Sequence, residues 1–141
     1  LARLGYPVKL QFLSIFGNEG GDLSLLPAAI GKRNEGEQWI GIAPFAAHKG
    51  KVYPPEMMER VIDLIEENNP HCRIFLFGRG RDESHTFPEW CARHSHCIFV
   101  GDHLDTMRQE LVLMSHLDVM VSMDSANMHM ASLTGTPVVS V

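Results

Sequence analysis

The fold is decided by residues 117–141, LDVMVSMDSANMHMASLTGTPVVSV. The apolar run Leu117 to Val121 predicts a buried strand, and the acidic Asp124 follows at its carboxyl end. A short helix is expected next, since Gly135 and Pro137 would end it and introduce another apolar strand. In an open α/β sheet, ligands bind outside the carboxyl ends of the strands. Asp124 is therefore expected where a polar ligand would lie.

The same alternation of strand and helix runs through the chain from Trp39 onward. Short apolar segments predict strands, and apolar residues at helical spacing predict amphipathic helices. The expected strands are 40–44, 73–77, 97–100, 118–122 and 137–141, and the expected longer helices are 56–68, 87–94 and 106–116. Such alternation implies parallel strands joined by right-handed crossovers. We therefore predict an α/β fold, a Rossmann-like parallel sheet with helices on both faces.

Residues 1–38 differ from the rest of the chain. Leu10 to Phe16 could form a strand, but 17–21 and 31–38 are polar and rich in turn residues. We expect residues 1–38 to be an interdomain segment and lead-in, and 39–141 to form one domain. The chain starts with Leu and stops on a predicted strand, so we expect a piece of a longer protein, truncated at the C-terminus.

Composition excludes several classes of function. The formal net charge of −5 argues against non-specific nucleic-acid binding, which requires a basic surface. No apolar run approaches the roughly 20 residues of a membrane span, and no signal peptide is visible. The three cysteines are odd in number, which favours a reduced, cytoplasmic protein.

A cluster of zinc-ligand residue types lies mid-chain: Cys91, His94, His96 and Cys97, with His85 upstream. However, Cys97 opens an apolar run and should point into a core. No second pair at zinc-finger spacing is present. We therefore expect no metal site.

Polar residues follow the first three predicted strands. Lys49 and Lys51 precede a helix N-terminus, where an anion is favoured, although a solvated basic loop is an equal alternative. After the second strand, Asp82 or Glu83 could accept hydrogen bonds from ribose hydroxyls; the alternative is a tight charged turn.

After the third strand, His103 and Leu104 could flank a base. The alternative there is a turn and helix cap, with Asp105 as the N-cap. Asp124 is the strongest single candidate, because a carboxylate at a strand end can accept two sugar hydroxyls. His129 is interpreted either as a satisfied core residue or as a group that neutralises and orients Asp124.

Two motifs resemble a known family. The segment 124–131, DSANMHMA, followed by 135–139, GTPVV, is similar to the signature of the ADP-heptose:lipopolysaccharide heptosyltransferases. The segment 43–54, APFAAHKGKVYP, resembles that family's lysine loop, and the resemblance covers roughly residues 39–141. It implies a two-Rossmann-domain (GT-B) glycosyltransferase, of which residues 39–141 would be the nucleotide-sugar donor-binding, C-terminal domain.

The resemblance also implies roles for individual residues. Lys51 would pair with the donor diphosphate, Asp82 or Glu83 would hold the ribose, and His103 and Leu104 would lie near the adenine. Asp124 would bind sugar hydroxyls, supported by His129. The full set of implied donor-binding residues is Ala47, Lys49, Lys51, Asp82, Glu83, His103, Leu104, Asp124, Ser125, Ala126, Asn127 and His129.

The resemblance further implies an ADP-sugar donor, with ADP-heptose as the model, and a lipid-linked saccharide acceptor bound through a missing N-terminal domain. That domain would supply the general base, so no catalytic residue and no cofactor are expected here. A cytoplasmic protein is implied, with peripheral contact at the inner face of the membrane as an extension. Ala126 replaces a family glycine, and Ala46 and Ala47 replace frequent hydroxyl residues, which affects the identity of the donor sugar.

Two other classes of function stay open. Another nucleotide-binding enzyme, such as a dehydrogenase, could use the same sheet, but the first strand is not followed by a GxGxxG fingerprint. A non-catalytic α/β binding module is the second; one of receiver type would need an acidic cluster after the first strand, and residues 42–45 contain none.

Overall fold

The computed structural model describes Gly5, residues 14–46 and residues 53–141. The strands in these ranges are β1 (Gln38–Ala43), β2 (Cys72–Leu76), β3 (Cys97–Phe99), β4 (Val119–Ser122) and β5 (Val138–Ser140). The α-helices are α1 (Pro55–Asn68), α2 (Arg81–Arg93), α3 (Met107–Met114) and α4 (Ala126–Leu133). None of these helices is both long enough and apolar enough to cross a membrane.

The strands form one parallel sheet in the order β3-β2-β1-β4-β5. Ile40 of the central strand lies opposite Ile74 of β2 on one side and opposite Val119 of β4 on the other. This is the strand order of a Rossmann fold, and the order reverses between β1 and β4. The predicted parallel α/β sheet is confirmed, and the reversal marks the crevice in which such sheets bind ligands.

Both faces of the sheet are covered by helices, as predicted. Trp39 and Ala43 of β1 lie in one core, and Ile40 and Ile42 lie in the other, because successive strand side chains point to opposite faces. The second core also holds side chains of α1 and α2, namely Met58, Ile62, Phe87 and Trp90. The first core holds Leu113, Met114 and Ala131 of α3 and α4.

Residues 14–37 contain no strand and pack beside α3 and α4. The backbone N–H of Ile15 donates to the Leu133 carbonyl at 3.0 Å, and Gln109 Nε2 donates to the Leu25 carbonyl at 3.0 Å. Ile30 is fully buried in the core beneath α3 and α4. The predicted strand at 10–16 lies mostly outside the described residues, and its last part, 14–16, is not a strand.

Helix α2 begins at Arg81, six residues before the predicted start at Phe87. The sequence prediction was wrong here because it followed the apolar residues, which begin with Phe87. The first turn of α2 is instead polar, and Asp82 and Glu83 lie there. Carboxylates at a helix N-terminus interact favourably with the helix dipole, so this polar turn still forms a helix.

The N-cap of α3 is Thr106, and the prediction of Asp105 was wrong. The Gln109 backbone N–H donates to Thr106 Oγ1 at 3.2 Å, and the Thr106 N–H donates to Gln109 Oε1 at 3.2 Å. This reciprocal pair is a capping box, which requires Thr or Ser three residues before Gln or Glu. The cap holds the start of α3 in place near the carboxyl end of the sheet.

Candidate functional site

A cleft of about 840 Å³ lies at the carboxyl end of the sheet, where the strand order reverses. We call it the main cleft. It is lined by the ends of three loops, with Phe45 and Ala46 following β1, 78–83 following β2, and Asp124 to Asn127 with His129 following β4. Seven of the residues predicted from sequence therefore share this cavity: Asp82, Glu83, Asp124, Ser125, Ala126, Asn127 and His129.

The loop between β2 and α2 depends on its glycines. Gly78 has φ +147°, a conformation that L side chains rarely adopt, and a Cβ there would come within 2.6 Å of Glu83 Cγ. A Cβ on Gly80 would come within 2.2 Å of Glu83 Oε2. The Glu83 side chain thus folds back against both glycines and places a carboxylate on the wall of the main cleft, with Asp82 beside it.

The loop after β4 is held by the core and exposes its polar residues. Met123 is fully buried, and its backbone N–H donates to the Ala43 carbonyl at 3.1 Å, which ties the loop to β1. Ser125 is the N-cap residue of α4 but makes no side-chain cap hydrogen bond; its hydroxyl lies 3.3 Å from Ser122 Oγ. The N-terminus of α4, with its partial positive charge, therefore borders the main cleft.

Asp124 and His129 form a solvent-facing pair on the same loop and helix. Asp124 Oδ1 lies 4.0 Å from His129 Nε2, and the two side chains are 54% and 69% exposed. His129 is thus not a buried core residue, and it stands where it can orient Asp124. The interpretation of His129 as a satisfied core residue was wrong.

A smaller cavity of about 390 Å³, which we call the side cleft, adjoins the main cleft. Gly78, Arg79 and Asn127 line both cavities. The side cleft extends between the starts of α3 and α4. Its other lining residues are Asp105, Met107, Glu110 and Met130. Because the two cavities share Gly78, Arg79 and Asn127, they lie side by side.

Arg79 was not among the site residues predicted from sequence. Its Nε donates to Glu110 Oε1 at 2.6 Å, and its Nη2 donates to the Leu104 carbonyl. Glu110 is buried, although it is charged and lies on a short helix. The only local signal was an arginine between two glycines directly after a strand, and the partner 31 positions away gave no sign in the sequence.

Two predicted residues, His103 and Leu104, line neither cleft, and three others lie outside the described residues. The side chain of Leu104 is fully buried in the core beside α3, so only its backbone faces Arg79. His103 is exposed and lines neither cleft. Ala47, Lys49 and Lys51 lie outside the described residues.

The cysteine and histidine cluster is divided by the fold. His94 Nδ1 lies 2.8 Å from Glu66 Oε2, and His96 Nδ1 lies 2.9 Å from Glu66 Oε1, so both imidazoles contact α1. Cys97 points into the core, as predicted, and burial raises the pKa of its thiol. Burial alone would lower the pKa of His94, but hydrogen bonds to Glu66 and Glu59 outweigh it and raise that pKa. These histidines tie α1 to the turn before β3.

A family model for glycosyltransferase family 9 (heptosyltransferase) matches residues 22–141. This chain belongs to that family. The match includes both clefts and all the described site residues. The match confirms the resemblance to heptosyltransferases that was seen in the motif at residues 124–139.

Solved structures of heptosyltransferases share the fold of this family 9 chain. E. coli heptosyltransferase WaaC with ADP has a TM-score of 0.65 at 13% identity over 75% of this chain and 34% of its own. E. coli ADP-heptose lps heptosyltransferase II has a TM-score of 0.66 at 19% identity over 80% of this chain and 35% of its own. A family 9 glycosyl transferase from Veillonella parvula has a TM-score of 0.65 at 19% identity, over 80% and 31%. This chain spans about a third of the length of each. No curated protein matches its sequence.

Proposed function

We propose that this chain is the nucleotide-sugar donor-binding, C-terminal domain of a two-domain GT-B glycosyltransferase. The observation that carries the proposal is the main cleft, in which the Asp124 loop, the N-terminus of α4 and the Asp82–Glu83 turn meet at the switch point of the sheet. Family 9 membership supports transfer of a sugar. The similar structures of E. coli heptosyltransferase WaaC contain ADP in one case and ADP-2-deoxy-2-fluoro heptose in another, which supports an ADP-sugar as the donor.

The donor is expected to lie across both clefts. Asp124 accepts hydrogen bonds from sugar hydroxyls, and the diphosphate lies at the α4 N-terminus beside Ser125 to Asn127. Glu83 or Asp82 holds the ribose, and the base extends past Arg79 into the side cleft. His129 orients Asp124, from which its Nε2 lies 4.0 Å.

The lysine loop completes this assignment. Lys51, with Lys49 and the Ala47 backbone, would neutralise the diphosphate, which leaves with additional negative charge. Such a cation would favour an anionic donor, because Asp82, Glu83 and Asp124 line the main cleft beside Arg81 and the Arg79 that is paired with Glu110. These loop residues lie outside the described part of the chain.

The reaction is a displacement at the anomeric carbon. An acceptor hydroxyl forms the new glycosidic bond while the bond to the diphosphate breaks, and the nucleoside diphosphate leaves with the electron pair. The described residues bind and orient the donor and stabilise the departing charge, an effect that strengthens when water is excluded. The base that removes the acceptor proton would belong to the other domain, so this chain alone is expected to bind the donor and transfer nothing.

The acceptor and the location follow only from the family. We propose a lipopolysaccharide-type, lipid-linked saccharide, reached from the cytoplasmic face of the inner membrane through the other domain. Ala126, at the position of a family glycine, adds a methyl group next to the proposed diphosphate site, which would favour a donor held slightly further from the α4 backbone.

Calorimetric titration tests the donor class. ADP is expected to bind, UDP and NAD to bind more weakly, and Lys51→Ala to weaken ADP binding about ten-fold through the lost charge. Absence of ADP binding by the folded chain, or a preference for NAD, would contradict the proposal.

A second titration tests the sugar site. Asp124→Asn should weaken ADP-heptose binding while ADP binding stays the same or tightens, because ADP lacks the donor sugar and the lost carboxylate no longer repels its phosphates. Asp102→Asn is the matched control, since Asp102 is an exposed carboxylate in the 3-10 turn after β3 and lines neither cleft. Equal effects of Asp124→Asn on ADP and ADP-heptose would refute the sugar contact.

A further inference from the structure

We infer that Arg79 is the residue on which the nucleobase of the donor stacks, and that it sets the preference for the base. This inference rests on the proposed function, because it assumes that a nucleotide crosses the main cleft. Its structural basis is independent of Asp124, since it concerns the boundary between the two clefts.

Arg79 stands at that boundary. With Gly78 it follows β2, and together with Asn127 at the start of α4 it lines both the main cleft and the side cleft. A diphosphate at the α4 N-terminus and a ribose at Glu83 leave the base to continue past this point. The Arg79 side chain is 47% exposed, so it presents surface to a ligand there.

The plane of the guanidinium is fixed by two contacts on one edge. Nε donates to Glu110 Oε1 at 2.6 Å, and Nη2 donates to the carbonyl of the fully buried Leu104. Glu110 lies on α3, whose start is held by the Thr106 capping box. A planar cation held by two hydrogen bonds loses little further freedom on binding, which suits it for stacking on an aromatic ring.

The ion pair also argues against a phosphate role. The Glu110 side chain is only 10% exposed, and it neutralises the Arg79 charge at close range. A diphosphate would have to compete with that carboxylate for the same donors. Stacking uses the flat face of the guanidinium and leaves both hydrogen bonds in place.

The remaining wall of the side cleft suits a purine with an exocyclic amine. Met107 is 66% exposed and Met130 also lines the cleft, and thioethers pack well against aromatic rings. Asp105 supplies an acceptor for an amino group on the ring edge. The cleft volume of about 390 Å³ falls in the range of roughly 300–1,000 Å³ usual for small-ligand sites.

The first test compares two substitutions and two ligands by calorimetry. Arg79→Ala and Arg79→Lys should both weaken ADP binding about ten-fold, because lysine keeps the charge but lacks the planar face. Pyrophosphate binding should be unchanged in both. Arg108→Ala is the matched control, since Arg108 is an exposed arginine in the first turn of α3 that lines neither cleft. If Arg79→Lys retains ADP affinity while Arg79→Ala loses pyrophosphate affinity, the inference is wrong and Arg79 binds phosphate.

The second test uses the partner. Glu110→Gln removes the fixing carboxylate, so ADP binding should weaken; unchanged or tighter ADP binding would overturn the inference. The double variant Arg79→Ala/Glu110→Gln leaves no buried charge unpaired, so it separates loss of stacking from loss of folding. Failure of the wild-type chain to bind ADP would refute the proposed function as well, whereas ADP binding that ignores Arg79 would refute this inference alone.

Discussion

Two regions of this molecule join histidine to carboxylate, and they do so in opposite ways. At the carboxyl end of the sheet, Asp124 and His129 lie 4.0 Å apart and are both more than half exposed. On the α1 side, the His94 side chain is only 7% exposed and lies 2.8 Å from Glu66. The first pair faces a cavity, and the second is enclosed by the protein.

The difference shows how the same residue types can serve binding or stability. Glu66 is bonded to His94 and His96, and Glu59 to His94 and Arg93, so this network is satisfied within the fold. The Asp124 side chain is 54% exposed and lines the main cleft. We therefore expect substitutions in the network to change stability without changing binding, and substitutions at the cleft to do the reverse.

The largest stability effect is expected at Glu66. Glu66→Ala removes two charge-assisted hydrogen bonds and should lower the free energy of unfolding by about 3 kcal/mol. Urea unfolding at pH 6 measures this, with Glu67→Ala, an exposed neighbour, as the control. ADP affinity should be unchanged in both variants; a loss of affinity in folded Glu66→Ala would break the contrast between the two regions.

The loop after β2 should show the next largest effect. Gly78→Ala places a Cβ at φ +147° and should lower the free energy of unfolding by about 2 kcal/mol. Gly80→Ala makes a close contact only with the end of the Glu83 side chain, which can rotate away, and should cost about 0.5 kcal/mol or less. Thermal unfolding of both variants provides the comparison, and equal losses would contradict the role assigned to the Gly78 backbone.

The pH dependence of stability isolates the enclosed pair. The pKa of His94 is raised above its ordinary value of 6.5, so its contribution is complete below that pH and is lost as the pH rises through the folded-state pKa. Burial raises the pKa of Glu66, but the hydrogen bonds to His94 and His96 outweigh burial and lower that pKa below 4.5. The contribution of Glu66 to stability is therefore lost only as the pH falls through the lowered value. The unfolding free energies of wild type and His94→Gln should therefore differ most between pH 4.5 and 6.5. A difference that grows above pH 7 would contradict the assignment.

The smallest stability effect is expected at the cleft itself. Asp124→Asn should change the free energy of unfolding by about 0.5 kcal/mol or less, because the side chain is 54% exposed. Urea unfolding measures this. A loss above 2 kcal/mol would indicate that Asp124 supports the fold rather than a ligand.

The features that the sequence could predict are those that depend on neighbours along the chain. The apolar run before Asp124 and the turn residues Gly135 and Pro137 were enough to predict β4, α4 and β5. Five strands in alternation with helices then predicted the parallel sheet. The Asp82–Glu83 turn and the Asp124 loop follow β2 and β4, so the sheet itself brought them to one edge.

Features that depend on distant contacts could not be predicted in this way. The Arg79–Glu110 pair joins residues 31 positions apart, and the Glu66–His94 pair joins residues 28 apart. Leu104 was expected near a base because it follows a strand, yet its side chain completes the core beside α3. Burial, which only the folded chain reveals, decides in each case whether a polar or apolar side chain is available to a ligand.

The most direct test of the central claim is an NMR titration of the ¹⁵N-labelled chain with ADP. We predict amide shift changes in the lysine loop, 47–51, and at the carboxyl edge of the sheet, at residues 78–83, 105–107 and 124–129, with none at Glu66, His94 or His96. Shift changes centred on the His94 network, or no changes at any concentration in a folded chain, would contradict the assignment of the donor site to this edge.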